Sequence, residues 1–263
     1  MSTVSTATAL FEPAGSGRWV PTELARGPWT PDALHGGPAA ALLARAVEPL
    51  LEPLHPARLT VELLRPVPLA PLSVHARVTR DGRKVRLAEA HLDHDGVSVA
   101  TAVGLGIRRA DLRVPEQPNG RPPGPDEAGE PVWDPAMDQY AAFHNRGVEH
   151  RFVRGELGVP GPATDWIRLR VPVVDGETPS PLQRVAAAAD FGNGISGLDA
   201  MRQLLFINPD LTIHLHRLPA GEWVCLDAVS RYEPHGVGLA VSNLYDEQGP
   251  IGTSAQSLLL DHR

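Results

Sequence analysis

Apolar residues between positions 39 and 50 recur at helical spacing. Ala39, Leu42, Leu43, Ala46, Val47 and Leu50 follow an i, i+3, i+4, i+7 pattern, and Pro38 suits the first turn of the helix they predict. The stretch "LHGGP" at 34–38 leads into it. The pattern is more apolar than that of a surface helix, so a sheet is expected to wrap it. The period then shortens to two. Strands are predicted at about 58–65, 72–80, 84–93 and 97–108, with the turn signals "DG" at 81–82 and "HDG" at 94–96 between them. Connections this short make neighbouring strands antiparallel. A second set follows. "DFGNGISG" at 190–197 precedes Leu198, Met201, Leu204 and Leu205, which predict a helix stopped by Asn208 and Pro209. Strands are predicted at about 210–217, 222–232, 236–246 and 251–261. Alternation at 148–156 and 164–173 opens this set, as 15–24 opens the first.

The two sets agree in residues as well as in order. "RLTVELLR" at 58–65 faces "DLTIHLHR" at 210–217, with Leu59, Thr60 and Arg65 opposite Leu211, Thr212 and Arg217, 152 positions later. "VTRDG" at 78–82 faces "VSRYE" at 229–233, and "LDHDG" at 92–96 faces "YDEQG" at 245–249. Three matches in one order imply an internal duplication. The expected fold class is α+β, with two units that each lay one central helix on a long antiparallel sheet. Residues 1–109 form the first unit and 146–263 the second. Residues 110–145, dense in Pro and Gly, form an extended linker.

Composition narrows the function. The chain of 263 residues, 42% of them hydrophobic, is long enough for a sizeable core. A formal net charge of −7 without a basic stripe argues against nucleic acid. The most apolar stretch, "PAAALLARAVEPLLEPL", carries Arg45, Glu48 and Glu52, so no membrane span is expected, and "MSTVSTATALFEPAG" has no signal-peptide pattern. The single cysteine, Cys225, fits a reducing cytoplasm. His214 and His216 share one strand face at a spacing that could hold zinc. No third ligand accompanies them, so a solvated face is expected and no metal. No nucleophile elbow, Walker loop or dinucleotide fingerprint is present, and no cofactor is implied.

Four stretches carry a resemblance. "HGGPAAALLARA", "AAADFGNG", "LTIHLHR" followed by "GEWVCLDAVS", and "GLAVSNLYDEQGPIGTSAQSLLL" together resemble the TesB-like acyl-CoA thioesterase family, over most of the chain outside 110–145. The resemblance implies a double hotdog fold and hydrolysis of an acyl-CoA thioester by an activated water. It also implies three catalytic residues, all from the second copy: Asp190 in "AADFGNG", Gln256 in "TSAQSLL" and, in the middle position, Asn208 in "FINPDLT". The best-known members have Thr at that middle position. The long sheet edges left by two fused units lead us to expect a homodimer.

The chemistry is consistent with these residue types. Asp190 can take a proton from water, and the neutral amides of Asn208 and Gln256 can orient it without competing for that proton. Backbone N–H groups of Gly192, Asn193 and Gly194, or of His35, Gly36 and Gly37, can polarise the thioester carbonyl, because glycine admits a close approach. Each residue also has an ordinary explanation. Asp190 and His35 can be helix caps, Asn208 before Pro209 a helix stop, and Gln256 an edge-bonding strand residue. Arg80 and Arg231, at equivalent hairpin ends, either meet CoA phosphates or solvate a turn. Two other functions fit the same fold. A protein whose Asp190 only caps would be an acyl-CoA sensor. A working Asp/His pair at the helix start, such as Asp32 with His35, would make an enoyl-thioester hydratase.

Overall fold

In the computed structural model, which describes residues 7–132, 138–198 and 203–262, thirteen strands join in one antiparallel sheet. The first half contributes β1 (Phe11–Pro13), β2 (Arg18–Pro21), helix α1 (Gly36–Leu51), β3 (His55–Leu63), β4 (Leu72–Arg80), β5 (Val85–His94) and β6 (Val97–Ile107). The second contributes β7 (Val148–Arg154), β8 (Ala163–Leu169), α2 (Pro181–Ala189), α3 (Gly192–Ile195), β9 (Leu204–Ile207), β10 (Asp210–Leu215), β11 (Val224–Tyr232), β12 (Val237–Asp246) and β13 (Gly249–His262). The sheet order is β1-β2-β4-β5-β6-β3-β10-β13-β12-β11-β8-β7, with β9 on the far end of β13. Read outward from its centre, each half therefore lays down its strands in the same sequence.

The centre is the pair β3–β10, the two strands whose sequences match. Thr60 lies opposite Thr212, Leu59 opposite Ile213 and Val61 opposite Leu211. Period-two alternation sends Leu59, Val61, Leu211 and Ile213 into one core shared by both halves. On β12, Gly238, Ala240, Ser242 and Leu244 point inward and their neighbours outward. α1 fills the first half with Leu42 and Leu43, each fully buried, and truncation of either to Ala would cost about 2–5 kcal/mol. Between the halves the chain runs over the second unit. Trp166 donates its indole N–H to the Pro123 carbonyl at 2.7 Å, and Asn119 donates to the Gln248 carbonyl at 2.9 Å.

The second helix departs from the expectation. It precedes Asp190 instead of following it. Ser180 caps α2 by accepting from the Gln183 N–H at 3.1 Å, and Pro181 takes the first helical position. Leu204 and Leu205 belong to β9, paired with β13, and Met201 lies outside the described residues. Local propensity explains the difference, since "RVAAAA" is the strongest helix former in this stretch. Asp190 is thus the C-cap of α2, with only the four-residue α3 beyond it. The two helices correspond from their N-caps, His35 and Ser180.

α1 and α2 pack together in opposite directions. At one end His35, the N-cap of α1, meets Asp190 at the end of α2. At the other, Ser180 donates to Glu48 near the end of α1, and Arg45 pairs with Glu177 at 2.6 Å. Burial holds the Glu48 carboxyl above its usual range, against the opposing hydrogen bond from Ser180. No helix among the described residues is long and apolar enough to cross a membrane.

Candidate active site

A cavity of about 400 Å³ opens where the halves meet, at the His35–Asp190 end of the helix pair. Its apolar wall includes Trp29, Leu34, Leu63 and Val67 from the first half and Phe191 and Phe206 from the second. Trp29 and Phe206 meet edge to face with centroids 5.0 Å apart. Four polar side chains gather at one place: His35, Asp190, Asn193 and Asn208.

Asp190 is the hub. It is 4% exposed, and both of its carboxylate oxygens are engaged. Oδ1 accepts from Asn208 Nδ2 at 2.8 Å and from Gln256 Nε2 at 3.3 Å. Oδ2 lies 2.7 Å from His35 Nδ1. The Gln256 amide also reaches the Asp190 carbonyl at 3.2 Å, and its oxygen accepts the Asn193 N–H at 3.0 Å. Asn193 in turn donates to Asn208 Oδ1 at 3.3 Å. Every member of this buried network has a polar partner, which its burial demands.

Two glycines make the approach possible. A Cβ on Gly36 would lie 2.7 and 2.8 Å from the Asp190 oxygens. A Cβ on Gly192 would lie 2.8 Å from Gln256 Oε1 and 2.9 Å from Ser242 Oγ. Gly36 is also the first residue of α1, so its N–H has no intrahelical acceptor and the positive end of a 16-residue helix faces the cluster.

Aromatic rings and a second histidine–aspartate pair support His35. Its imidazole packs against Phe191 at 4.6 Å and Phe143 at 5.2 Å between centroids. Phe143 opens a π-helical turn, Phe143–Gly147, which also brings His144 to the cavity wall. Behind Phe191, His150 and Asp165 are fully buried and 2.5 Å apart. Burial raises the Asp165 carboxyl, with the charge and hydrogen bond of His150 pulling the other way.

Of the residues singled out from sequence, Asp190, Asn208, Gln256, His35, Gly36, Asn193 and Gly194 come together here. Gln256 stands behind Asp190 and outside the cavity wall, as do Gly37 and Gly192. The Asn193 N–H faces Gln256 and so is spoken for. Arg80 and Arg231 are exposed on the sheet, away from the cavity; the arginine at its mouth is Arg65. Asp32 is exposed, and the carboxylate beside His35 is Asp190. Trp29, Phe206, Phe191, Arg65 and His144 were not anticipated. Trp29 alone had a signal, a large aromatic among the turn residues of "RGPWTPDALHGG". His214 and His216 are both exposed, and no cluster of metal-ligating side chains occurs among the described residues.

Comparison with known proteins agrees with this architecture. Residues 25–106 match the acyl-CoA thioesterase N-terminal domain, and residues 118–260, more than half of the chain, match the C-terminal domain of the same family. By sequence, the chain matches no curated protein. Three solved structures are similar along nearly the whole chain. A provisionally assigned thioesterase II from Thermobifida fusca is 18% identical with a TM-score of 0.73, covering 97% of this chain and 96% of that one. A hot dog fold protein from Alicyclobacillus acidocaldarius is 19% identical with a TM-score of 0.71, covering 94% and 92%. The acyl-CoA thioesterase II TesB2 from Mycobacterium marinum is 17% identical with a TM-score of 0.67, covering 96% of each chain. The fold is a double hotdog, and with both halves matched by its domains, this chain belongs to the acyl-CoA thioesterase family and is a thioester hydrolase.

Proposed function

We propose that the Asp190 cluster is the catalytic centre and that water attacks the thioester directly, without an acyl-enzyme. The observation that carries this reading is the buried carboxylate of Asp190, facing the cavity and held by Asn208, Gln256 and His35. Asn208 and Gln256 fix the carboxylate. The Gly36 N–H and the N-terminus of α1 receive the developing oxyanion. The acyl chain lies along Trp29, Phe206 and Leu63, and the CoA portion leaves past Arg65. At about 30 Å³ per water-sized group, the cavity holds roughly a dozen such groups, which favours acyl chains of medium length. The protein works in the cytoplasm, in lipid metabolism, as a homodimer. Its single free cysteine supports the compartment, and the exposed apolar residues on the outer face of the sheet, Val237, Leu239, Val241 and Leu259, support the assembly.

One observation favours a second reading. His35 and Asp190 form an imidazole–carboxylate pair at a helix start, an arrangement that can also add water to an enoyl thioester. A single experiment separates the two. Saturated and 2-enoyl-CoA substrates of several lengths are offered to wild type and Asp190→Asn, and both thiol release and loss of enoyl absorbance are followed. Thiol release by wild type that falls at least 10³-fold in the variant is expected. Loss of enoyl absorbance without thiol release would establish the hydratase. An Asp190→Asn protein as active as wild type would move the centre elsewhere.

A further inference from the structure

We infer that His35, contributed by the first half, is the group that takes the proton from water, and that Asp190 acts through it. The inference rests on the Asp190-centred reading above and names the atom that reacts. A general base needs a lone pair open to its substrate. Asp190 has little to offer: it is 4% exposed, Oδ1 already accepts two amide donors, and Oδ2 lies 2.7 Å from the imidazole. His35 lines the cavity, and its side chain is 10% exposed.

The tautomer follows from two distances. Nδ1 is 2.7 Å from Asp190 Oδ2 and 3.2 Å from the Gly37 nitrogen. One atom cannot give a proton to the first and a lone pair to the second. The shorter contact, to a carboxylate, takes the proton, because charge-assisted hydrogen bonds are the stronger kind. With the proton on Nδ1, the lone pair is on Nε2, the nitrogen left for the cavity. Phe143 and Phe191 fix the plane of the ring, and Asp190 fixes its rotation.

The step then balances. A water oxygen bonds to the thioester carbonyl carbon as one water proton passes to Nε2, giving a tetrahedral oxyanion beside the Gly36 N–H and an imidazolium beside Asp190. The carbonyl reforms, the C–S bond breaks with its electron pair on sulfur, and the Nε2 proton moves to the thiolate. Free acid and thiol leave, and the imidazole is neutral again. The carboxylate stabilises the imidazolium and stays ionised throughout.

His35 also holds the N-cap position of α1, so the test must keep that position well occupied. Asn is among the best capping residues and keeps an N–H donor for Asp190 but has no basic nitrogen; Gly caps nearly as well and leaves room for an added base. His35→Asn is expected to lower kcat about 10²–10⁴-fold with KM and melting temperature near wild type, and imidazole in the buffer is expected to restore turnover to His35→Gly at least tenfold. A His35→Asn protein within threefold of wild type would overturn the inference. Loss of turnover that imidazole leaves unchanged would overturn it too, making His35 a positioning residue for Asp190. Asp190→Asn, run beside them, tells the two failures apart: undiminished activity there removes the Asp190-centred reading itself.

Discussion

Gly36→Ala isolates the geometry of the site from the stability of the fold. The added Cβ would stand 2.7 Å from Asp190 Oδ2, whereas ordinary contact begins at 3.4 Å, so the carboxylate must retreat by about 0.7 Å. It cannot do so freely. It is held at 2.8 Å by Asn208 and 2.7 Å by His35, and Gln256 closes the third side. The helix itself has no objection, because Gly36 is helical and Ala is the better helix former, worth up to about 1 kcal/mol. The expected result is a protein that melts within about 3 °C of wild type. Its kcat/KM for a medium-chain acyl-CoA is expected to be lower by about 10²-fold, the usual consequence of misplacing part of a catalytic cluster by the better part of an ångström. That is about 2.7 kcal/mol of transition-state stabilisation. Thiol release monitored with a chromogenic disulfide, beside a thermal melt, measures both. Activity within threefold of wild type at an unchanged melting temperature would refute the claim that this carboxylate must sit where it does.

Other outcomes follow from the same geometry. Asn208→Ala removes the shortest amide bond to Asp190, and hydrogen bonds to charged groups are worth about 1.5–3 kcal/mol, so kcat should fall about 10- to 100-fold in the same thiol assay. Trp29→Ala opens the apolar end of the cavity, and a chain-length series should show the optimum moving to longer acyl groups while turnover of the shortest is weakened. Arg217→Met breaks the bidentate pair with the fully buried Asp246 and should cost about 3 kcal/mol in urea unfolding at neutral pH. Burial works against the charge of Asp246, but Arg217 and the N–H groups of Ala220 and Gln248 outweigh it and hold its carboxyl below the usual range. The stability this supplies is present above the unfolded pKa of about 3.9 and is lost as pH falls through the lower folded value. Wild type should therefore weaken steeply in acid, and Arg217→Met less so.

The strands were legible in the sequence because half-buried antiparallel strands alternate visibly, and α1 because its apolar stripe is continuous. The repeat at Leu59–Arg65 and Leu211–Arg217 revealed the duplication but could not reveal that the two copies of the motif pair with each other, since register across a seam leaves no local mark. The final arginines of that repeat also diverge in use: Arg65 is at the cavity mouth, and Arg217 clamps Asp246. α2 is not legible from a glycine-marked start like that of "LHGGP", because its own start is Ser180 and Pro181 and its body the alanine run before "DFGNG". Asp190, Asn208 and Gln256 were found through the family pattern alone. Nothing local to His35 pointed to Asp190, because they are 155 positions apart and meet only when two helices pack in opposite directions. Arg80 and Arg231 were chosen for their matching positions, and symmetry of sequence does not carry a side chain to the cavity.

The opposite end of the helix pair bears on how many turnovers a chain can run at once. A symmetric ancestor made of two identical units would present two equivalent centres, one at each end. Here Ser180 occupies the place of His35, and Glu48, near the end of α1, faces it as Asp190 faces His35. A hydroxyl bound to a carboxyl that burial keeps above its usual range offers no imidazole to receive a proton. With the proposed centre at the His35–Asp190 end, the Ser180–Glu48 end is left to hold the helices together. The expected stoichiometry is accordingly one reacting centre per chain, so that a dimer of this protein would titrate with two equivalents of a tight-binding substrate analogue, not four.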